Sequence, residues 1–152
     1  VGPAGTREAA VEDITVGVGK TSLAKGEVVE SIFLPAQAAN SGDAYLRFIP
    51  RTEMDIAVVG CGVNLTLDAS GTCTAAKVSL GAVAITALVV EDAANAIIGT
   101  KLDDAALDKM AAAASAACKP INDKRGTIEF RTDVAGVLAR RAALIAKERA
   151  EA

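Results

Sequence analysis

The sequence predicts an α+β domain in which an antiparallel sheet of three to four strands is covered by C-terminal helices. Two observations carry this prediction. Short segments rich in β-forming residues, separated by turn signals, fill the stretch from residue 44 to residue 88. From residue 91 onwards, apolar residues recur at helical spacing instead. Strands followed by helices are typical of an antiparallel sheet with helices packed on one side.

The first part of the chain predicts loops, a turn and one strand. Residues 1–7 are rich in Gly and Pro and indicate a loose segment. Residues 25–27 carry a turn signal, and residues 28–34 follow as a strand that Pro35 ends. Residues 36–42 then form a connector of small and polar side chains.

Two strands are predicted next. Residues 44–49 have strand propensity. Residues 54–67 give the strongest strand signal, because Val, Ile and Leu recur along them. Gly60 and Gly62 interrupt this pattern and indicate either a bulge or a close approach of another part of the molecule to the backbone.

A hairpin and a further strand complete the predicted sheet. Residues 68–71, with the sequence DASG, are typical of a hairpin turn. Residues 73–80 return as the second strand of that hairpin. Gly81 breaks this strand, and residues 82–88 form the last one.

Helices are predicted after the sheet. The first covers residues 91–98 and stops at Gly99, and the second covers residues 103–118, with Asp103 as its N-cap. The last covers residues 132–148. Its apolar residues are spaced for one buried face: Val134, Val137, Leu138, Leu144 and Ile145.

The composition argues against several classes of function. The chain has no histidine, and therefore lacks the commonest general base and zinc ligand of self-contained hydrolases and metalloenzymes. A net charge of −3 provides no field that would attract nucleic acid or an acidic membrane surface. No apolar run reaches the roughly 18 residues that span a bilayer, and no signal peptide is visible. We therefore expect a cytoplasmic protein without nucleic-acid or membrane partners.

The cysteines and one glycine-rich stretch give no sign of a metal or nucleotide site. Cys61, Cys73 and Cys118 show no CxxC spacing, and we interpret them as buried small apolar residues in a reducing compartment. Residues 17–23, with the sequence GVGKTSL, look like a phosphate-binding loop. That motif requires a glycine where this chain has Ile14, so we reject a nucleotide triphosphatase.

A dense group of charged residues precedes the last predicted helix. It consists of Asp123, Arg125, Glu129 and Arg131. Arginine is suited to bidentate pairing with carboxylates. We interpret the group as a structural ion-pair clamp that holds the last helix, and no catalytic residue is assigned.

Several sequence blocks together resemble a known family. They are the turn at 17–21 with GEVVESIFLP at 26–35, the AYLR of 44–47 with DIA at 55–57, SLGAVAIT at 79–86, and PINDKRGTIEFR at 120–131. In this order they resemble the C-terminal part of the FAD-binding medium subunit of the molybdenum hydroxylases. That family includes xanthine dehydrogenase and the aerobic carbon monoxide dehydrogenases. The chain departs from its pattern at Ala87, where the family often has proline.

The resemblance implies an electron-transfer fragment of a larger oxidoreductase, inactive alone. Residues 1–35 would be the tail of a preceding FAD-binding domain, and residues 36–152 the flavoprotein C-terminal α+β domain. FAD would be shared with a missing N-terminal domain. A molybdopterin-binding large subunit and an iron–sulfur small subunit would be partners that carry the other cofactors. The resemblance also implies a short helix at residues 44–49, where propensity favours a strand.

The same resemblance implies one wall of a flavin site. Arg47 matches a cation near the isoalloxazine, Tyr45 an aromatic contact, and Val29 an aliphatic contact of the ring. A fixed cation near the flavin favours its anionic reduced state and shifts its reduction potential. A tyrosine can pack against the ring and offer a hydroxyl.

From the residues alone, other roles remain open. Tyr45 would be an ordinary residue at the core edge, and Val29 an ordinary strand residue. Arg47 would pair on the surface with a carboxylate of Asp43, Glu53 or Asp55. Two other functions also remain open: a non-enzymatic α+β interaction module that has lost flavin binding, and a stand-alone protein that binds a small ligand.

Overall fold

A computed structural model describes residues 1–152 and has the predicted α+β architecture. A small hairpin comes first, formed by strands β1 Thr15–Gly17 and β2 Lys20–Thr21. The main sheet follows, with four antiparallel strands side by side in chain order. They are β3 Ser41–Phe48, β4 Val59–Leu67, β5 Cys73–Gly81 and β6 Leu88–Val89.

Helices α1 Glu91–Asn95, α2 Asp104–Ala117 and α3 Ile128–Glu151 cover one face of this sheet. The longest of them, α3, lies against β3 and β4, and α2 packs beside it. The predicted cap of α2 is confirmed, because the Asp103 carboxylate accepts a hydrogen bond of 2.9 Å from the Ala106 amide. No helix combines the length and the apolar character that crossing a membrane requires.

Alternate residues of β3 and β4 form the sheet side of the core. Gly42 lies directly against α3, where an added Cβ atom would overlap the carbonyl oxygen of Ala146 and stand 2.6 Å from the Ala150 nitrogen. Ala44 pairs with Val63 in register, and both are buried. Because side chains alternate along a strand, the residues between these positions lie on the opposite face of the sheet.

The buried side of α3 consists mainly of alanine, and the predicted face is partly wrong. Val137 and Leu144 are 47% and 39% exposed, whereas Leu138 is buried. The buried alanines are Ala135, Ala139, Ala142, Ala143, Ala146 and Ala150. Small side chains allow close helix packing: a Cβ at Gly136 would lie only 2.7 Å from the Ser115 hydroxyl oxygen. Val134 and Ile145 pack against the core, so the large apolar residues mark the contact side only in part.

Two predicted strands are wrong. Residues 28–34 form no strand, and the large apolar side chains Val28, Ile32 and Phe33 are exposed. Val28 exchanges two backbone hydrogen bonds with Val1, but residues 29–34 form none. A strand needs a neighbour that pairs along its length, and these residues lack one. The predicted strand at 82–88 is reduced to the two residues of β6. Ala82 has a positive φ of 65°, which turns the chain out of the sheet.

The remaining boundaries follow local interactions. Residues 44–49 lie almost entirely in β3, as their propensity predicted, and form no helix. β4 begins only at Val59. Of the two alternatives for its glycines, the bulge is not formed, since pairing with β3 runs through both without interruption. α3 begins at Ile128, earlier than predicted, because the Thr127 hydroxyl caps it by accepting from the Phe130 amide.

The predicted ion-pair clamp is centred on Arg131, which is only 4% exposed. Its Nη2 donates to both carboxylate oxygens of Asp123 at 2.7 Å. Its Nη1 donates to the carbonyl oxygens of Val58 at 2.8 Å and Ala82 at 3.2 Å. The clamp thus joins α3 to both strand ends nearest to it. Glu129 was wrongly included, because it is exposed and forms no ion pair.

Removing the clamp should destabilise the whole domain. Arg131→Ala leaves the buried Val58 carbonyl and the partly buried Ala82 carbonyl without their donor, and should lower the free energy of unfolding by about 3–5 kcal/mol. Arg140→Ala is the matched control, because its partners Asp104 and Asp108 are 89% and 74% exposed. The control should cost roughly 0–1 kcal/mol. Urea denaturation measures both, and equal midpoints for the two variants would contradict the clamp.

The clamp should also weaken in acid. The pKa of Asp123 lies below its ordinary value because the Arg125 amide and the Arg131 guanidinium donate to its carboxylate. The ionised Asp123 carboxylate therefore contributes its full stabilisation above about pH 4, the pKa of an aspartate in the unfolded chain. This stabilisation is lost as the pH falls through the lowered pKa of the folded state. The stability difference between the parent chain and Asp123→Asn should shrink below about pH 4. A difference independent of pH would refute this.

Gly42→Ala should destabilise the chain because the added methyl group meets the backbone of α3, which cannot yield as a side chain does. We expect a loss of about 1–3 kcal/mol in the free energy of unfolding. Gly81→Ala provides the comparison, since a Cβ there has no atom within 4 Å. A Gly42→Ala variant as stable as Gly81→Ala would show that the backbone of α3 does not lie directly against Gly42 of β3.

Candidate functional site

The site that the structure supports lies on the face of the main sheet opposite the helices, called the open face below. It carries Tyr45 and Arg47 of β3, at alternate positions. In register, Tyr45 stands opposite Gly62 and Arg47 opposite Gly60 of β4. Ser79 of β5 follows beside Gly62. Two predicted site residues, Tyr45 and Arg47, are therefore neighbours on one surface.

The Tyr45 side chain lies against β4 on one side. A Cβ atom at Gly60 would stand 2.5 Å from the tyrosine hydroxyl oxygen, so the ring reaches diagonally from its own partner Gly62 to Gly60. Its other side faces outwards, since Tyr45 is 63% exposed. The predicted close approach is thus confirmed at Gly60, where the approaching group is an aromatic ring, whereas the group close to Gly62 is the Ser79 hydroxyl.

Arg47 is a free cation on the open face. It takes part in none of the ion pairs of the chain. The surface pairing that the residues left open is therefore not formed. The carboxylate of Asp43 accepts instead from the Gln37 amide, at 3.3 Å. Asp55 is engaged by other groups.

Asp55 braces the loop that leads into β4. Its carboxylate accepts from the Ile56 amide at 2.9 Å and lies 3.4 Å from Arg51 Nε and 3.6 Å from Arg125 Nε. Burial alone would raise the pKa of Asp55, but the amide and the two guanidinium groups outweigh it and lower the pKa. The carboxylate thus stays ionised and structural, and leaves Arg47 unpaired.

Val29 lies outside the main sheet, in the segment before it. It is 56% exposed and lines a groove of about 430 Å³. The groove is formed by residues between Val1 and Phe33, and Arg7 pairs with Glu27 beside it at 2.8 Å. That guanidinium lowers the pKa of Glu27 to about 2. Val29 is therefore not part of the open face.

The segment before the sheet nevertheless touches the open face. Lys77 of β5 points to this face, because its neighbours Ala76 and Val78 pack towards the core. Its Nζ lies 3.0 Å from the Glu12 carboxylate. The stretch that resembled a phosphate-binding loop forms the β1–β2 hairpin, with Gly19 at a φ of 63° in the turn.

The cysteines take no part in this site. Cys61 and Cys73 are buried as predicted, whereas Cys118 is half-buried. Burial raises the pKa of the Cys61 thiol to about 12. A thiol with such a pKa is neither a nucleophile nor a metal ligand near neutral pH.

The open face suits a flat ligand that carries or gains negative charge. Tyr45 offers an exposed aromatic surface, and Arg47 provides a cation next to it. The sequence had singled out Tyr45 and Arg47, whose role at a flavin stays a prediction, but it had not singled out Gly60 beside them as part of the site. The interruption of a strand pattern by glycine was the signal that pointed to it.

Comparison with known proteins gives the same family along the whole chain. The model of the CO dehydrogenase flavoprotein C-terminal domain matches residues 44–146. The carbon monoxide dehydrogenase medium chain of Afipia carboxidovorans is 39% identical over 150 residues, which is 99% of this chain and 51% of that protein. The xanthine dehydrogenase FAD-binding subunit of Escherichia coli O157:H7 is 25% identical over 130 residues, 85% of this chain and 44% of that subunit.

Solved structures agree. The Cu,Mo-CO dehydrogenase in its cyanide-inactivated form superposes with a TM-score of 0.90 and 38% identity, over 97% of this chain and 51% of that one. The chain therefore spans about half the length of the relatives it matches. These similarities give no support to a flavin-free interaction module.

Proposed function

Because the chain belongs to the family of CO dehydrogenase flavoprotein C-terminal domains, we propose that it is the C-terminal half of the FAD-binding subunit of a molybdenum-dependent hydroxylase or dehydrogenase. The whole assembly would oxidise a small substrate and pass the electrons to FAD. The observation that carries this proposal is the exposed pair of Tyr45 and Arg47 on the open face.

The residues of the open face fit one wall of a flavin site. The outward side of the Tyr45 ring is free to contact a planar ring system, and Arg47 has no competing carboxylate. FAD, when bound, would supply the acceptor and donor of electrons. Arg47 would stabilise negative charge on it, and Tyr45 would orient it and exclude water from one side. Val29 would add an aliphatic contact from the preceding segment.

We assign the two parts of the chain to different roles. Residues 36–152 would form the C-terminal domain, and residues 1–35 the end of a preceding FAD-binding domain. The exposed apolar side chains Ile32, Phe33 and Leu34 support this, because they are 74–87% exposed and form a surface that another part of the subunit would cover. That part would also hold the FAD pyrophosphate.

The partners follow from the family. The relatives include a Cu,Mo enzyme, and we propose that a molybdopterin-binding large subunit and an iron–sulfur small subunit assemble with the subunit that carries this chain. The chain would then work in a cytoplasmic complex. Its own role would be electron transfer through FAD, and substrate oxidation would take place in the large subunit.

Replacing Arg47 tests the flavin assignment. In the FAD-loaded subunit, Arg47→Ala should lower the reduction potential of the flavin by about 10–30 mV, the effect of one close but solvent-exposed charge. The direction follows because the guanidinium favours the anionic reduced ring. Spectroelectrochemical titration measures the potential directly.

Two further variants control this experiment. Arg47→Lys keeps the positive charge, so the reduction potential of its flavin should stay close to that of the parent subunit. Arg141→Ala removes a cation from the exposed side of α3 and should leave the potential unchanged. Equal potentials for Arg47→Ala and Arg141→Ala would place the flavin elsewhere.

A further inference from the structure

The height at which the Tyr45 ring lies above the sheet is set at Gly60. A Cβ atom at Gly60 would stand 2.5 Å from the tyrosine Oη, 3.2 Å from Cζ and 3.3 Å from Cε2. Real Cβ atoms essentially never come within 3.0 Å of such atoms, so the 2.5 Å separation from Oη is too short for any side chain at position 60. The hydroxyl end of the ring therefore occupies space that only glycine leaves free.

We propose that Gly60 is a positioning residue for Tyr45. Its bare backbone leaves room for the hydroxyl end of the ring against β4, so that the exposed side of the ring becomes a platform for a planar ligand. Arg47 stands opposite Gly60 in register, so its side chain leaves the open face next to the glycine that the ring reaches. The identification of the ligand as the flavin ring rests on the proposed function. The placement of Tyr45 by Gly60 is independent of it.

The other glycines of the open face do not share this role. A Cβ at Gly62 would lie 3.7 Å from Tyr45 Cδ2, an ordinary contact, and 2.9 Å from the Ser79 Oγ, which can rotate away. A Cβ at Gly81, the register partner of Gly60, would meet no atom within 4 Å. None of the three glycines has a positive φ. Alanine is therefore compatible with the backbone at each position, and only at Gly60 would its methyl group collide with Tyr45.

An alanine at position 60 should lift the hydroxyl end of the ring. The neighbouring atom belongs to the far end of a side chain, so the ring moves and the strand remains in place. The ring would then tilt about its Cβ end and stand away from β4. A tilted ring no longer presents its whole outer side to a planar ligand, and part of the stacking contact is lost.

The ring position can be measured without any ligand. Tyr45 is the only tyrosine, and the chain has no tryptophan, so both fluorotyrosine NMR and intrinsic fluorescence report on this ring alone. Gly60→Ala should shift the ¹⁹F resonance and make tyrosine emission easier to quench with iodide. Gly62→Ala and Gly81→Ala should change both signals much less. Equal changes in Gly60→Ala and Gly81→Ala would overturn the role of Gly60.

A double-mutant cycle separates this contact from a general loss of stability. Tyr45→Phe removes Oη, the atom closest to the added methyl group. Gly60→Ala should therefore destabilise the Tyr45→Phe chain less than it destabilises the parent, as seen in urea denaturation. Additive effects would show that the hydroxyl does not lie over Gly60, and would overturn the proposal.

The last measurement addresses the ligand. In the FAD-binding subunit, Gly60→Ala should weaken FAD affinity roughly two- to tenfold, the worth of one aromatic pair, while Gly81→Ala should not. Flavin fluorescence titration gives the affinities. A ring that moves while FAD affinity stays unchanged would refute the flavin assignment of the open face, whereas an unmoved ring refutes the role of Gly60. The two failures are therefore distinguishable.

Discussion

The guanidinium group of Arg131 is the interaction on which the arrangement of this domain depends. It binds the Val58 carbonyl before β4, the Ala82 carbonyl after β5 and the Asp123 carboxylate before α3. Carbonyl groups just outside strands have no partner in the sheet, and a buried cation with several donors satisfies them together. Lysine could not replace it equally, because its ammonium group lacks the planar, directed donors of arginine. The start of α3 is thereby fixed against both strand ends at once.

Docking α3 at this point determines which face of the sheet remains open. Gly42 and the alanine side of α3 bring helix and sheet close together, so that face is used entirely for packing. Tyr45 and Arg47 alternate with the buried residues of the same strand and must lie on the other side. A shift of the β3 register by one residue would turn its buried side chains to the open face, and would turn Tyr45 and Arg47 into the core. The clamp therefore supports the open face without touching it.

The sequence predicted those elements whose cause lies in neighbouring residues, and it failed where an element depends on a distant part of the chain. The hairpin turn, the Asp103 cap and the strand at β4 follow from propensity and capping, and they are confirmed. The strand at residues 28–34 failed because a strand depends on a partner, which no local pattern contains. The packing side of α3 was predicted only in part, because alanine, which supplies most of it, gives a weak hydrophobic signal. Tyr45 and Arg47 were found by family resemblance, but the role of Gly60 required the register between β3 and β4.

The glycines of β4 indicate that the open face serves more than stability. Glycine in a strand interior costs about 0.5–1 kcal/mol relative to alanine, and β4 carries Gly60 and Gly62. An aromatic ring lying across such glycines restores part of that loss. Tyr45 offsets only part of the stability lost at these glycines, because the outer side of its ring stays in solvent and the residue is 63% exposed. A strand selected for stability alone would carry larger residues at these positions. An exposed ring held rigidly on bare backbone, next to an unpaired cation, is instead the departure from local rules that functional sites show.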